Sequence, residues 1–187
     1  MPFFIIAAVI VIFFLVVIGI YNSLIKVRNQ VRNAWRQIDV QLKRRHDLIP
    51  NLVNAVKGQM EFEKSTLESV IQARAAAVNA KGISDAIAKE DLLSSALSKL
   101  FAVVENYPTL KSNEQVKQLM EELTTTENQI TFARQFYNDI TTTYNTKLEK
   151  FPTNLFASSL GFTLSPLFQV ENAAEREAPK VDLSLKK

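Results

Sequence analysis

From Phe3 to Ile20 every position is apolar, eighteen in a row with no charge and one glycine. Beyond Tyr21 the pattern changes to one stripe of a helix. Leu24, Val27, Val31, Trp35, Ile38 and Leu42 recur at threes and fours among polar residues. The stripe continues through Ile49, Leu52, Val56, Met60, Leu67, Ile71 and Val78, which predicts one helix running past Pro50 and stopping near Gly82. Pro50 costs that helix a hydrogen bond and introduces a clash, so a kink is expected there. The alternatives are a fresh helix capped by Asp47 with Pro50 in its first turn, or a hairpin at Pro50. A second helix is predicted from Ser84 to Asn106, with Leu93, Leu97, Leu100, Val104 and Tyr107 on its face and Pro108 ending it. Ser112 and Gln115 have capping-box spacing for the helix that follows. Its stripe is the most regular in the chain: Val116, Leu119, Leu123, Thr126, Ile130, Ala133, Tyr137, Ile140, Tyr144, then Leu148 and Phe151, with Pro152 as the stop. A repeat near 3.5 residues signals left-handed packing between helices. Phe151 to Phe168, rich in Phe and Leu, reads as a short fourth helix and loop capping the bundle. The rival for that stretch is a second membrane-touching element, too short and too interrupted to span.

The pattern predicts an all-α protein: an N-terminal transmembrane helix over residues 1–21, an elongated up-and-down bundle of about four helices over 22–168, and a mobile charged tail over 169–187. A helix of about 20 apolar residues covers the ~30 Å of bilayer hydrocarbon. The run reads as an uncleaved anchor rather than a signal peptide. No Lys or Arg precedes it, it exceeds the usual ~7–15-residue core, and no small-x-small cleavage site follows.

Length then raises a question of partners. A helix from Tyr21 to about Ala80 measures on the order of 90 Å, whereas the second reaches only about 35 Å. Counted this way, nothing in the chain covers Leu24, Val27, Val31, Trp35, Ile38 and Leu42. An apolar stripe left in water calls for another copy or a partner. Self-association through this stalk is the expectation, with replacement of Trp35 and Ile38 by Asp dispersing the assembly. A hairpin at Pro50 would remove the need.

Composition sharpens the location more than the chemistry. Four glycines and six prolines in 187 residues fit a few long helices, and the absence of cysteine removes disulfides, thiol nucleophiles, thiolate zinc sites and a lipoprotein anchor. Between Asn22 and Met60 eight basic residues face two acidic ones, a surplus of six. Since the whole chain carries +3, the remainder is negative by three. Basic residues beside a membrane segment favour the cytoplasmic side. The expected topology is single-pass in the bacterial inner membrane, N-terminus outside and helical domain cytoplasmic. Lys26, Arg28 and Arg32 lie near enough to contact anionic headgroups, at about 1 kcal/mol per residue. Further along, Arg36, Asp39 and Lys43 form exposed helix pairs.

No constellation for catalysis emerges. His46 is the sole histidine and sits beside Arg44, Arg45 and Asp47, a poor setting for a metal. Glu61 and Glu63, and Glu121 and Glu122, are spaced to point apart on a helix. There is no Glu-x-x-His pair, phosphate-binding glycine loop or nucleophile elbow. Glu127, Asn128, Arg134, Asn138 and Asn145 flank the regular stripe, with Arg74 near the first helix's stripe. They suit an interhelical hydrogen-bond network, with a ligand pocket as the sharper alternative. Nucleic acid is not an expected partner, because Trp35 is the one aromatic of the basic helix and belongs to the apolar stripe. No cofactor is expected.

The stretch YNSLIKVRNQVRNAWRQIDVQLKRRHDLIPNLVNAVKG, Tyr21 to Gly58, resembles the signature of the LemA family of bacterial membrane proteins. LESVIQARA from Leu67, VENYPTL from Val104, EELTTTENQI from Glu121 with the AR, FYN and YN that follow, and FPTNLFASSLGF from Phe151 continue the resemblance. Many members have His-Glu where this chain has Phe62-Glu63, which weakens a metal site at that position. The resemblance implies one N-terminal transmembrane helix, a helical bundle and a cytoplasmic bulk, and it supplies no reaction. It also implies an association with membrane-bound zinc metalloproteases of the HtpX type, and a relative serves bacterial organelle membranes. The expected function is a non-enzymatic membrane-anchored scaffold that self-associates and docks membrane partners. An adaptor or regulator of an HtpX-type metalloprotease is the alternative.

Overall fold

The computed structural model describes residues 2–58, 60 and 63–168, and is all-helical over them. Helix α1 spans Pro2–Lys57 as one helix with Pro50 inside it. Neither a hairpin nor a fresh start occurs at Pro50. The chain reverses later, between Lys57 and Lys64, after Gly58, a weak helix former. Helix α2, Lys64–Val78, returns antiparallel to α1, and Arg74 Nε donates to the His46 carbonyl at 2.7 Å. The expectation of one helix from Tyr21 to Ala80 is therefore corrected. Met60, 1 % exposed, plugs the core at the turn, so the stripe continues across a break it does not reveal.

Gly82, at φ +83°, turns the chain into α3, Ile83–Glu105. A short helix α4, Pro108–Lys111, follows with Pro108 in its first turn. Helix α5 then runs over Glu114–Glu149. Its cap is not the Ser112/Gln115 box. Asn113 Oδ1 accepts from the backbone N–H groups of Gln115 and Val116, while Ser112 Oγ donates to the Thr109 carbonyl. Beyond α5 the expected fourth helix is absent. A 3-10 turn at Thr153–Leu155 leads into a non-helical strap over 162–168 that lies on the bundle. The predicted tail over 169–187, together with Glu61 and Phe62, lies outside the described residues.

Registers across the helices give an up-down-up-down bundle of α1, α2, α3 and α5. Ser23 meets Lys147, Trp35 meets Tyr137, and Arg45 meets Glu90 and Glu127. Two cores result. The core away from the apolar terminus packs Ile49, Leu52, Val56 and Met60 against α2, α3 and the start of α5. The core beside it packs Leu24, Val27, Val31, Ala34, Ile38 and Leu42 against Ile130, Tyr137, Tyr144 and Leu148 of α5 and Ala157 and Phe162 beyond it.

The stalk stripe is thus covered by its own chain. Leu24, Val27, Val31, Ile38 and Leu42 are each 5 % exposed or less, and Trp35 is half-buried. The premise for self-association through these six positions is overturned. The covering element is α5, 36 residues long and about 54 Å at the usual rise, a length matched to α1 beyond Tyr21. Burying an aliphatic side chain contributes roughly 1.5–3 kcal/mol. Five of them hold α5 to the stalk far more firmly than surface ion pairs would.

Candidate functional site

At the junction of the two cores lies a buried charge cluster. Arg45 of α1 is wholly buried, and its Nη2 donates to Glu90 Oε2 of α3. Its Nη1 donates to Glu127 Oε2 of α5 and, at 2.8 Å, to Ser94 Oγ, which in turn donates to Glu127 Oε1 at 2.8 Å. His46 Nε2 lies 2.9 Å from Glu90 Oε1 and donates there when that nitrogen carries the proton. Burial pushes the Glu90 carboxyl up, but the His46 hydrogen bond and the Arg45 charge outweigh it and leave the group below its ordinary value. Both carboxylates and the serine hydroxyl are occupied within the cluster. It pins three helices in one register. Alongside, Arg134 Nη1 donates to Asp91 Oδ1 at 2.7 Å.

A second feature is the strap. Asn145 exchanges two hydrogen bonds with the backbone of Ser165, both at 2.9 Å, and Asn138 does the same with Phe168 at 3.0 and 2.9 Å. Each amide replaces a missing backbone partner for an extended segment that has no sheet to join. Tyr137 Oη donates to the Pro166 carbonyl at 2.9 Å, and burial pushes its phenol up. The Phe168 ring stacks on Trp35 at 5.9 Å, meets Tyr137 edge-on at 5.7 Å and sits under the Arg134 guanidinium at 4.7 Å. Trp35 therefore belongs to an intramolecular aromatic cage.

Of the interhelical network expected around the stripes, Glu127, Arg134 and Arg74 make contacts between helices, Asn138 and Asn145 hold the non-helical strap instead, and Asn128 is exposed on the outer face. Of the three residues expected at headgroups, Lys26 and Arg32 are exposed. Arg28 is half-buried with its guanidinium 4.8 Å from the Phe162 ring, so its charge is directed at the strap. Arg45 was expected to make the surroundings of His46 cationic; instead its charge is neutralised by two carboxylates. Among the described residues no group of three or more His, Cys, Asp or Glu is placed to hold a metal ion.

The apolar surface left open lies elsewhere. Val40 of α1 and Phe132 of α5 are 65 % and 71 % exposed, and Phe136 is 47 % exposed. With Gln37, Gln41, Gln129 and Ala133 they line a cleft of about 450 Å³ that carries no charge. Sequence reading passed over it, because Val40 falls between stripe positions and looks like an isolated apolar residue.

The apolar portion of α1 is uncovered over an 18-residue window with mean hydropathy 3.4, which fits a single membrane anchor. A family model described as "LemA family" matches residues 34–183. A protein named "Protein LemA" from Metamycoplasma hominis is 29% identical over 174 residues, covering 92% of this chain and 78% of that protein. "Magnetosome protein MamQ 2" from Paramagnetospirillum magneticum is 28% identical over 181 residues, covering 83% of this chain and 66% of that protein. "Magnetosome protein MamQ" from Magnetospirillum gryphiswaldense is 25% identical with the same coverage. The chain spans just under two thirds of the length of these magnetosome relatives, and none of the names is that of an enzyme.

Proposed function

The chain belongs to the LemA family, and from that premise we propose that it is a non-enzymatic, membrane-anchored helical scaffold whose copies meet side by side. The observation that supports the reading is the uncharged cleft of Val40, Phe132 and Phe136. Copies held in one bilayer by the same end of α1 present this cleft at the same height. A two-fold axis along the membrane normal then brings the two clefts together, each patch meeting its own image. An uncharged lining raises no like-charge repulsion in such a pairing, and the rings supply most of the apolar area.

The surplus of basic residues after Tyr21 supports a cytoplasmic bundle beneath the bacterial inner membrane, with Lys26 and Arg32 at the headgroups. The proposed assembly face lies away from the stalk stripe, since Val40 stands two residues from both Ile38 and Leu42 and points to the other side of α1.

The absence of cysteine makes the test direct. Phe132→Cys, oxidised in native membranes, is expected to give a disulfide-linked product of twice the monomer mass, with Leu92→Cys on α3 remaining monomeric. Monomer only from both Phe132→Cys and Val40→Cys refutes the pairing. A stoichiometric heavier product containing a membrane metalloprotease would instead support the adaptor reading.

A further inference from the structure

The turn after α5 extends beyond the bundle and along the membrane anchor. Lys147 Nζ donates to Ser23 Oγ at 3.0 Å, so α5 ends level with the beginning of the polar stalk. The chain then passes Tyr21 instead of turning back. The Phe156 ring meets that of Phe13 edge-on at 5.9 Å, and the return leg brings Phe162 to 5.7 Å from Tyr21. Phe13 stands eight residues before Tyr21, about 12 Å deeper along the helix. Val17 and Ile20, on the same face as Phe13, are half-buried, whereas their neighbours Val16 and Ile18 are exposed. The far side of the turn is open: Phe151 is 79 % exposed and Leu155 is 61 % exposed, alongside the small polar residues Asn154, Ser158 and Ser159.

In water those two apolar side chains would be an unexplained liability. We propose that the turn around Phe151, Leu155 and Phe156 is a second membrane-embedded element, seated among the acyl chains of the leaflet next to the bundle and packed against the anchor. Two independent features fit that solvent. The backbone N–H groups of Asn154 to Ala157 and of Leu160 to Phe162 all donate within the turn, which hydrocarbon demands of any backbone it meets. Lys147 and Lys150 stand at its entry, where ammonium groups on long stems reach the headgroup level. The turn also meets α1 inside the apolar run, through Phe156 against Phe13, and so continues the surface that the anchor would present to lipid. The bundle is thereby fixed to the bilayer at two points, which restricts its rotation about the anchor and holds its side faces at a constant height.

The proposal rests on α1 spanning the membrane, so the experiment reports both. Single cysteines at Ile10, Phe151, Leu155 and Leu92 in the full chain are nitroxide-labelled and reconstituted in vesicles of phosphatidylethanolamine and phosphatidylglycerol. Collision with oxygen is then compared with collision with a water-soluble nickel chelate. The expected oxygen-to-nickel ratio at Phe151 and Leu155 is several-fold above that at Leu92 and approaches that at Ile10. All four positions are exposed, so labelling leaves the core intact. Ratios at Phe151 and Leu155 equal to Leu92, with Ile10 still immersed, overturn the embedded turn and leave the anchor standing. An aqueous Ile10 overturns both.

Discussion

Arg45→Met tests whether the buried cluster, and not the stripe alone, fixes how α1, α3 and α5 meet. The substitution keeps an unbranched side chain of similar reach and removes the cation. The Glu90 side chain, 3 % exposed, keeps only His46 as a partner, while Glu127, 37 % exposed, recovers part of its hydration. Removing one member of a buried ion pair costs about 3–5 kcal/mol. Because one of the two carboxylates reaches water, about 3 kcal/mol is the expected loss, a large share of the ~5–15 kcal/mol that holds a domain together. The uncompensated charge, rather than the missing contact, produces that cost. Arg45→Met combined with Glu90→Met should therefore recover most of it, since apolar replacement of a buried pair is often neutral or stabilising. Arg44→Met, an exposed neighbour, should stay within about 0.5 kcal/mol. Urea unfolding of the full chain in detergent, followed by helix ellipticity and by the single tryptophan, measures all three. A loss below about 1 kcal/mol for Arg45→Met, or a double variant as unstable as the single one, refutes the reasoning.

Asn138→Ala removes both hydrogen bonds to the Phe168 backbone and is expected to cost about 1–3 kcal/mol, with Trp35 emission moving to the red as its stacking ring leaves. Asn113→Ala deprives two N–H groups at the start of α5 of their acceptor and should cost about 1 kcal/mol in the same unfolding assay. The folded-state value of Glu90 lies below its ordinary 4.5, so the unfolded chain binds that proton more readily. Its contribution is complete above 4.5 and is lost as pH falls through the lowered value. The urea midpoint should therefore fall on acidification below 4.5, and Glu90→Gln should flatten that decline. Trp35→Asp and Ile38→Asp, which would disperse copies if the stalk were an interface, should instead destabilise the monomer, seen as lost ellipticity on heating.

Periodicity made the anchor, α3 and α5 legible, because each is a long stripe bounded by proline, glycine or a charge change. The cluster left a signal of the same kind that went unused. Arg45 follows Ile38 and Leu42 and precedes Ile49 at core spacing, and Glu90 stands three before Leu93 on the α3 face. Two opposite charges at core positions of different helices announce a buried pair, whereas reading Arg45 as part of the local surroundings of His46 hid it. Asn138 and Asn145, seven apart beside the α5 stripe, likewise mark one line on the helix surface, but a strap without regular periodicity offers nothing to pair them with. The reversal after Lys57 had no such signal. Val56, Met60 and Leu67 keep helical spacing across it, because a buried methionine fills the turn from the same side that the stripe faces.

That missed reversal changes which apolar residues are left exposed. With one long first helix, α3 seemed too short to return along it, and the apolar stalk was left in water. With the turn after Lys57 in place, the part of α1 beyond Tyr21 and α5 match in length and close over the stripe. Helices α2 and α3, at 15 and 23 residues, are too short to flank the pair along its whole course. At the height of Val40, α2 and α3 lie on the side of α1 that carries Trp35, Asp39 and Lys43, and α3 reaches Arg134 of α5. On another side Val40, Phe132 and Phe136 are exposed. The expectation that Leu24, Val27, Val31, Ile38 and Leu42 need company fails, because their own chain covers them. The residues at core spacing satisfy one another within the chain, and Val40, Phe132 and Phe136, which lie between them, form the exposed face proposed above for a second copy. Val40→Asp with Phe132→Asp separates these two layers. Both side chains are exposed, so folding should survive within about 0.5 kcal/mol, while the cross-linked product of twice the monomer mass, read from a cysteine placed at Phe136, should disappear. Its persistence would show that Val40 and Phe132 do not hold the copies together.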